Sequence, residues 1–238
     1  MPHLSITFDT VTGTVLVEEP HPFPDDLRES LARLFGPAKE TACAAPAEVL
    51  LPPAASPIGV AAAPCVRLAG YWHNSLIEGP GRRSAAKLQG CPIHCIGCIT
   101  PDSWDSSFGS VVPVDLLADA LLDPSYPRDG ISILGGEPFV QPAGLLALIR
   151  ALRRRGCQHI LTYSGYTYEW LRRMAKHVQA IGAILDDIDI LIDGPYVAAL
   201  AGGGGPWTGS SNQRVIDMAA TRLIGKMELL EAPDLLTA

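Results

Sequence analysis

The sequence has little positive charge and no long apolar run. Its 238 residues include 18 Lys and Arg against 25 Asp and Glu, which gives a net charge of −7. An acidic chain repels phosphate backbones, which argues against a nucleic-acid partner. No apolar run reaches the roughly 18 residues of a membrane-spanning helix, and the first residues lack the basic and apolar stretches of a signal peptide. We therefore expect a cytoplasmic protein that binds neither nucleic acid nor a membrane.

Cysteine is also scarce, yet three of the six cysteines lie close together. Cys91, Cys95 and Cys98 form the spacing Cys-x3-Cys-x2-Cys, and in the cytoplasm such a group indicates metal binding or redox chemistry rather than disulfides. Three thiolates on one loop can each bind a different iron of a 4Fe–4S cube, and without a fourth cysteine nearby one iron stays open to a small ligand. A zinc site with His94 as fourth ligand explains these residues about equally well, and would indicate a zinc-stabilised binding module.

Composition divides the chain into three parts. Residues 1–40 contain two alternating runs around a turn, followed by leucines at helical spacing and a glycine, and predict a small ββα appendage. Residues 41–64 are rich in alanine and proline without a period, as in a linker. Residues 65–238 alternate short apolar runs with helical ones and form the predicted core domain.

The core domain has an α/β element order. Its predicted helices are 113–123, 142–156 and 168–182. Its predicted strands are 131–134, 159–163, 188–193 and 213–218. This alternation predicts a parallel sheet covered by helices, with a site at the C-terminal ends of its strands.

A glycine-rich turn follows the first of these strands. Gly135, Gly136, Glu137 and Pro138 come directly after a buried apolar run. Glycines at this point let the backbone turn sharply and approach a ligand closely. Alone, the turn indicates only a strand-to-helix connection, but its combination with the cysteine motif is far more specific.

Together the two motifs resemble those of the radical S-adenosylmethionine (SAM) enzymes. The stretches at 74–105, 163–171, 189–197 and 209–217 are similar, in the same order, to the activating enzymes of anaerobic ribonucleotide reductase and their pyruvate formate-lyase relatives. The resemblance covers about residues 65–218, and it implies a partial, open β/α barrel of the radical SAM type.

The resemblance also implies roles for individual residues. The three cysteines are expected to bind a 4Fe–4S cluster, and the turn at 135–138 to bind the methionine part of SAM on the open iron. Gly97 is expected to pass its backbone close to the adenine. Ser164 is expected to contact the ribose, although a turn-capping hydroxyl explains it equally well. No acid or base of the protein is implied for catalysis.

The implied reaction is a one-electron cleavage of SAM that yields methionine and a 5′-deoxyadenosyl radical. In this group of enzymes the radical takes a hydrogen atom from a glycine of a partner. The resemblance therefore implies a glycyl-radical enzyme such as anaerobic ribonucleotide reductase as the partner, and a flavodoxin or ferredoxin as the electron donor. The alternative is a radical SAM enzyme that modifies a peptide or small molecule recognised through residues 1–63. The absence of cysteines after Cys157 argues against the auxiliary clusters that many such enzymes carry.

Overall fold

The computed structural model describes residues 5–8, 15–18 and 63–230. By its contacts, the chain divides into two units, Met1–Cys65 and Val66–Ala238. The first unit contains an antiparallel pair of strands, β1 (Ser5–Phe8) and β2 (Val15–Glu18), at the alternating runs predicted there. The helix predicted after them and most of the linker lie outside the described residues, so the ββα appendage and the three-part division stay predictions.

As far as the structure describes it, to residue 230, the second unit is a mixed α/β structure built on a single sheet of eight strands. The strands are β3 (Cys65–Ser75), β4 (Arg83–Leu88), β5 (Ser110–Pro113), β6 (Gly130–Gly135), β7 (Ile160–Tyr163), β8 (Ile190–Asp193), β9 (Arg214–Asp217) and β10 (Glu228–Leu229). Their order in the sheet is β10-β9-β8-β7-β6-β4-β3-β5. The central strands β4, β6, β7 and β8 are parallel.

The prediction of a parallel sheet is correct for these central strands and wrong for the strand at 213–218. That strand, β9, runs antiparallel to β8, with Arg214 opposite Asp193. Parallel neighbours need a crossover that returns the chain to the starting edge of the sheet. The connection from β8 to β9 contains only a short 3-10 helix, Ala198–Gly203, and so the chain turns back along its neighbour.

Within residues 63–230, five α-helices connect or follow the strands. They are α1 (Val114–Leu121), α2 (Pro142–Arg154), α3 (Tyr168–Met174), α4 (Gln179–Asp187) and α5 (Met218–Ile224). The single helix predicted at 168–182 is wrong, because the chain leaves the helical conformation at Val178, where φ is −123° and ψ is 93°. The break lets Leu171 of α3 and Ile184 of α4 both reach the core. Neither glycine nor proline marks it in the sequence.

The helices pack on one face of the sheet. The main core combines residues of all five helices with strand residues such as Ile131, Ile133 and Ile160. Successive residues of a strand point to opposite faces, and the other face therefore carries a smaller apolar cluster of Leu161, Ile190 and Ile192. Within residues 63–230, no helix has the length and apolar character needed to cross a membrane.

Candidate cofactor site

The C-terminal ends of the four parallel strands meet at one edge of the sheet, and each end leads into a predicted site segment. The cysteine motif follows β4, the Gly-Gly-Glu-Pro turn follows β6, and Ser164 follows β7. Asp193 is the last residue of β8. The parallel register thus brings together segments that are far apart in sequence.

The loop that carries the cysteines is closed at its base by backbone hydrogen bonds. The Gly90 N–H donates to the Ser103 carbonyl and the Cys91 N–H donates to the Trp104 carbonyl, both at 2.9 Å. Inside the loop, the Cys98 N–H donates to the Cys95 carbonyl at 3.1 Å. These contacts fix the backbone of the loop that carries the three cysteines.

One side of this loop faces the ends of β7 and β8. A Cβ atom on Gly165, just after β7, would lie 2.5 Å from Cδ1 of Ile93. Gly97 has a φ of +80°, and a Cβ atom there would lie 3.3 Å from Cβ of Ala198 and 3.5 Å from Cε1 of Tyr196. The absence of a side chain at Gly97 keeps this narrow space open, which fits the predicted approach of its backbone to a ligand.

The donor set fits an iron–sulfur cube better than a single zinc ion. The thiols of Cys91, Cys95 and Cys98 are all free. Among the residues that the structure describes, no three Cys, His, Asp or Glu side chains converge as they would around one ion. Zinc requires such convergence, whereas a cube takes its thiolates on separate irons. His94, the fourth ligand of the zinc alternative, stacks its ring on Trp104 at a centroid distance of 4.7 Å.

The two glycines after β6 allow the turn to touch the cysteine loop. A Cβ atom on Gly135, whose φ is +130°, would lie 2.3 Å from the Leu88 carbonyl oxygen, and one on Gly136 would lie 2.2 Å from that of Gly90. The N–H groups of Gly136 and Glu137 donate to these same two carbonyls, at 2.9 and 2.8 Å. Only glycine permits this approach of one backbone to another.

Glu137 places a fully buried carboxylate at this junction. Its Oε1 accepts from the Phe139 N–H at 3.0 Å, and its Oε2 accepts from the Gly165 N–H at 2.7 Å. Burial raises the pKa of Glu137 to about 7, although hydrogen bonds to backbone N–H groups and to Ser164 lower it in part. Within residues 63–230 its partners include no cation. A buried carboxylate without a cation has the chemistry to bind an ammonium group such as that of methionine.

The remaining predicted residues lie around this carboxylate. The hydroxyl of Ser164 donates to Glu137 and accepts from the Tyr166 N–H at 3.0 Å, so it is engaged within the turn, and its contact with a ribose stays a prediction. Pro138 is buried and begins a 3-10 helix, Pro138–Val140, whose N-cap is Glu137.

A partly buried ion network beside the site was not predicted: the Asp193 side chain has no exposed surface, whereas the Glu169 side chain is 51% exposed. Arg214 donates to both oxygens of Asp193, at 2.9 and 2.5 Å, and to both oxygens of Glu169, at 3.0 and 2.8 Å. Asp193 also accepts from the Tyr168 N–H at 2.6 Å. Hydrogen bonds from Arg214 lower the pKa of Glu169 to about 2. The network joins the end of β8 and the start of β9 to the first turn of α3. Its signal in the sequence was Asp193, an aspartate at the end of a predicted strand.

The chain matches a family of known proteins across most of its second unit. The family model described as "4Fe-4S single cluster domain" matches residues 77–216. The anaerobic ribonucleoside-triphosphate reductase-activating protein of Vibrio cholerae is 31% identical over 151 residues, which are 60% of this chain and 92% of that protein. The protein of the same name from Escherichia coli K12 is 29% identical over 152 residues, 61% of this chain and 94% of that protein.

Two further similarities cover less. The pyruvate formate-lyase-activating enzyme of Clostridium pasteurianum is 28% identical over 118 residues, 48% of this chain and 50% of that protein. The solved structure of QueE from Escherichia coli aligns with 43% of this chain and 53% of that one, at 21% identity and a TM-score of 0.37. This last similarity is too low to bear on the fold.

Proposed function

The chain belongs to the 4Fe–4S single-cluster family and is a radical SAM activating enzyme. We propose that it generates a glycyl radical on an anaerobic ribonucleotide reductase. Its cofactors are a 4Fe–4S cluster and SAM. The observation that supports the partner is the similarity to the reductase-activating protein of Vibrio cholerae over 92% of that protein's length. The electron donor is proposed to be a flavodoxin or ferredoxin.

The cysteine loop and the glycine turn bind the two cofactors in this proposal. Cys91, Cys95 and Cys98 hold the cluster, and the loop frame at its base fixes their order around it. Glu137 and the backbone of the two glycines before it bind the methionine ammonium. Gly97 leaves room for the adenine, and Ser164 contacts the ribose or holds the Glu137 carboxylate in place.

Positioning is the main contribution of the protein to the reaction. When bound, the reduced cluster and SAM supply a 5′-deoxyadenosyl radical, which is chemistry of the cofactors rather than of side chains. The residues of the strand ends hold the reacting carbon where a glycine of the partner can reach it, and such placement lowers the barrier without an acid or base.

We also propose that the sheet curves into the partial, open barrel of radical SAM enzymes. Four parallel strands lie at its centre, and the two end strands, β10 and β5, are not neighbours in the sheet. A sheet that is not closed leaves a wide approach to the strand ends, as a macromolecular substrate requires.

Electron paramagnetic resonance tests the proposed partner directly. The anaerobically reconstituted protein is mixed with SAM, dithionite and the anaerobic ribonucleotide reductase of the same organism. We expect the doublet of a glycyl radical on the reductase, and its loss when the target glycine is replaced by alanine. Formation of 5′-deoxyadenosine without any radical on the reductase would contradict the proposal. It would favour the alternative of a peptide or small-molecule substrate recognised through residues 1–63.

A further inference from the structure

The face of the sheet opposite the main core carries an apolar patch close to the site. Leu161, Ile190 and Ile192 are buried there, and Tyr163 and Val215 pack against them. Tyr163 is the last residue of β7, and Ile192 lies one residue before the end of β8. The five helices pack on the other face. A substrate segment that reaches the strand ends from the sheet side must therefore pass this patch.

Trp207 of the same chain covers the patch. Its side chain packs against this cluster, as do Tyr163, Val215 and Leu230, and its carbonyl accepts a hydrogen bond from the Tyr163 hydroxyl at 3.0 Å. The φ of Trp207 is +63°, a left-handed conformation that is unfavourable for a bulky residue. In this conformation the Trp207 indole packs against the apolar patch.

The segment before Trp207 is made of glycines that can change conformation. Gly202, Gly203, Gly204 and Gly205 are four consecutive exposed glycines, of which the first two end the 3-10 helix Ala198–Gly203, and glycine gives a chain its greatest conformational freedom. The segment after Trp207 is fixed, since the Gln213 side chain accepts from the Gly209 N–H at 2.7 Å and donates to the Gly194 carbonyl at 3.0 Å. A flexible segment (202–205) next to a fixed one (209–213) is typical of a loop that opens and closes over a site.

We propose that Trp207 is a gate for the macromolecular substrate. In the free enzyme the indole covers the patch of Leu161, Ile190 and Ile192, and a glycine-bearing segment of the partner displaces it to reach the strand ends. Because glycine has no side chain, a segment centred on it can lie close to an apolar surface. It can do so here only after the Trp207 indole has left the patch. The proposal rests on the proposed function for the identity of the substrate, and not for the gate itself.

The first test measures SAM cleavage without a partner. Trp207→Ala removes the cover, so small hydrogen donors such as buffer thiols reach the adenosyl carbon. We expect severalfold more 5′-deoxyadenosine from this variant than from wild type in the absence of partner. Trp207→Phe is the matched control, because it keeps an aromatic ring on the patch, and it should behave like wild type. Iron content of each variant confirms that the cluster is present.

The second test stiffens the flexible segment (202–205) and leaves the indole in place. A Cβ atom on Gly202 meets no atom within 4 Å, and one on Gly205 comes no closer than 4.0 Å to Thr208. Neither glycine has a positive φ, so Gly202→Ala with Gly205→Ala fits the closed loop. We expect several-fold slower radical formation on the partner, with unchanged iron content and unchanged partner-free cleavage. Hydrogen exchange of residues 202–209 should rise when the partner binds wild type.

The outcomes separate the gate from the proposed function. Equal partner-free cleavage by Trp207→Ala and Trp207→Phe rejects the gate, whatever the substrate is. If Trp207→Ala instead loses radical formation while partner-free cleavage stays at the wild-type rate, the indole helps to bind the substrate. The gate hypothesis is then also wrong. If wild type forms no radical on a reductase but Trp207→Ala shows the expected excess of cleavage, the gate stands and the identity of the partner is wrong. Should Trp207→Ala fail to load iron, the variant with the stiffened segment decides, and radical formation at the wild-type rate would reject the gate.

Discussion

The hydroxyl of Ser164 donates to the carboxylate of Glu137, with distances of 3.0 and 3.1 Å to its two oxygens. The two residues follow neighbouring parallel strands, β6 and β7, and both are buried. This hydrogen bond ties the Gly-Gly-Glu-Pro turn to the segment that contacts the cysteine loop through Ile93. The carboxylate is thus held in one orientation before any ligand binds.

Replacing Glu137 should weaken SAM binding without preventing cluster assembly. Glu137→Gln removes the negative charge that we assign to the methionine ammonium, and its single amide oxygen can accept from only one of the Phe139 and Gly165 N–H groups. We expect SAM affinity to fall about tenfold or more, which corresponds to about 1.4 kcal/mol. Isothermal titration of the reconstituted variant measures it. Ser164→Ala keeps the charge and should cost less, and equal losses from both variants would contradict the charge assignment.

Stability of the cofactor-free protein should depend on pH through Glu137. The folded pKa of about 7 lies above the ordinary pKa of a glutamate, 4.5. Between these values the folded state keeps a proton that the unfolded chain has released, so the free energy of unfolding falls as the pH rises from 4.5 to 7. The loss is at most about 3 kcal/mol. Urea titrations across this window should show the decline in wild type, and a decline of the same size in Glu137→Gln would contradict the assignment.

A methyl group on Gly136 should prevent the cysteine loop and the glycine turn from meeting. The added carbon would lie 2.2 Å from a backbone oxygen of Gly90, and a backbone cannot move aside as a flexible side chain can. We expect Gly136→Ala to lose most of its iron after reconstitution. Gly182→Ala is the control, because the new carbon in α4 meets Ala175 at an ordinary 3.6 Å and should stabilise the helix by about 0.5–1 kcal/mol. Full iron loading of Gly136→Ala would contradict the close contact.

Removal of Arg214 should destabilise the fold by leaving Asp193 buried and uncompensated. Asp193 has no exposed surface, and loss of one partner of a buried ion pair costs about 3–5 kcal/mol. Arg214→Met should show this loss in urea denaturation. Adding Asp193→Asn should recover part of it, because the amide oxygen still accepts from the Tyr168 N–H and no charge is left behind. A double variant less stable than Arg214→Met would contradict the explanation.

The chemistry of the site was predictable because it is carried by short motifs. The cysteine spacing and the Gly-Gly-Glu-Pro turn predicted an iron–sulfur and SAM site, and the matched family confirms the cofactors. The strands β6, β7 and β8 and the helices α1 and α2 followed from local apolar patterns, whereas β4 (Arg83–Leu88) was not predicted from them. The site residues themselves stay predictions that the variants above test.

Features that depend on long-range packing were not predictable. The direction of β9 is set by its partner and by the connection that leads to it, not by its own residues. The break between α3 and α4 has no glycine or proline to mark it, and it exists because Leu171 and Ile184 must both face the core. The contact of Ser164 with Glu137 likewise needs the register of β6 beside β7, which no local pattern contains.

Anaerobic cleavage of SAM tests most directly whether Cys91, Cys95 and Cys98 hold the cluster of a radical SAM enzyme. Wild type and Cys95→Ala are reconstituted with iron and sulfide, reduced with dithionite and mixed with SAM, and 5′-deoxyadenosine is quantified. We expect product from wild type and none from Cys95→Ala, because two thiolates cannot hold a cluster with one iron open for SAM. Failure of wild type to assemble an iron–sulfur cluster, or equal product from the two proteins, would contradict it.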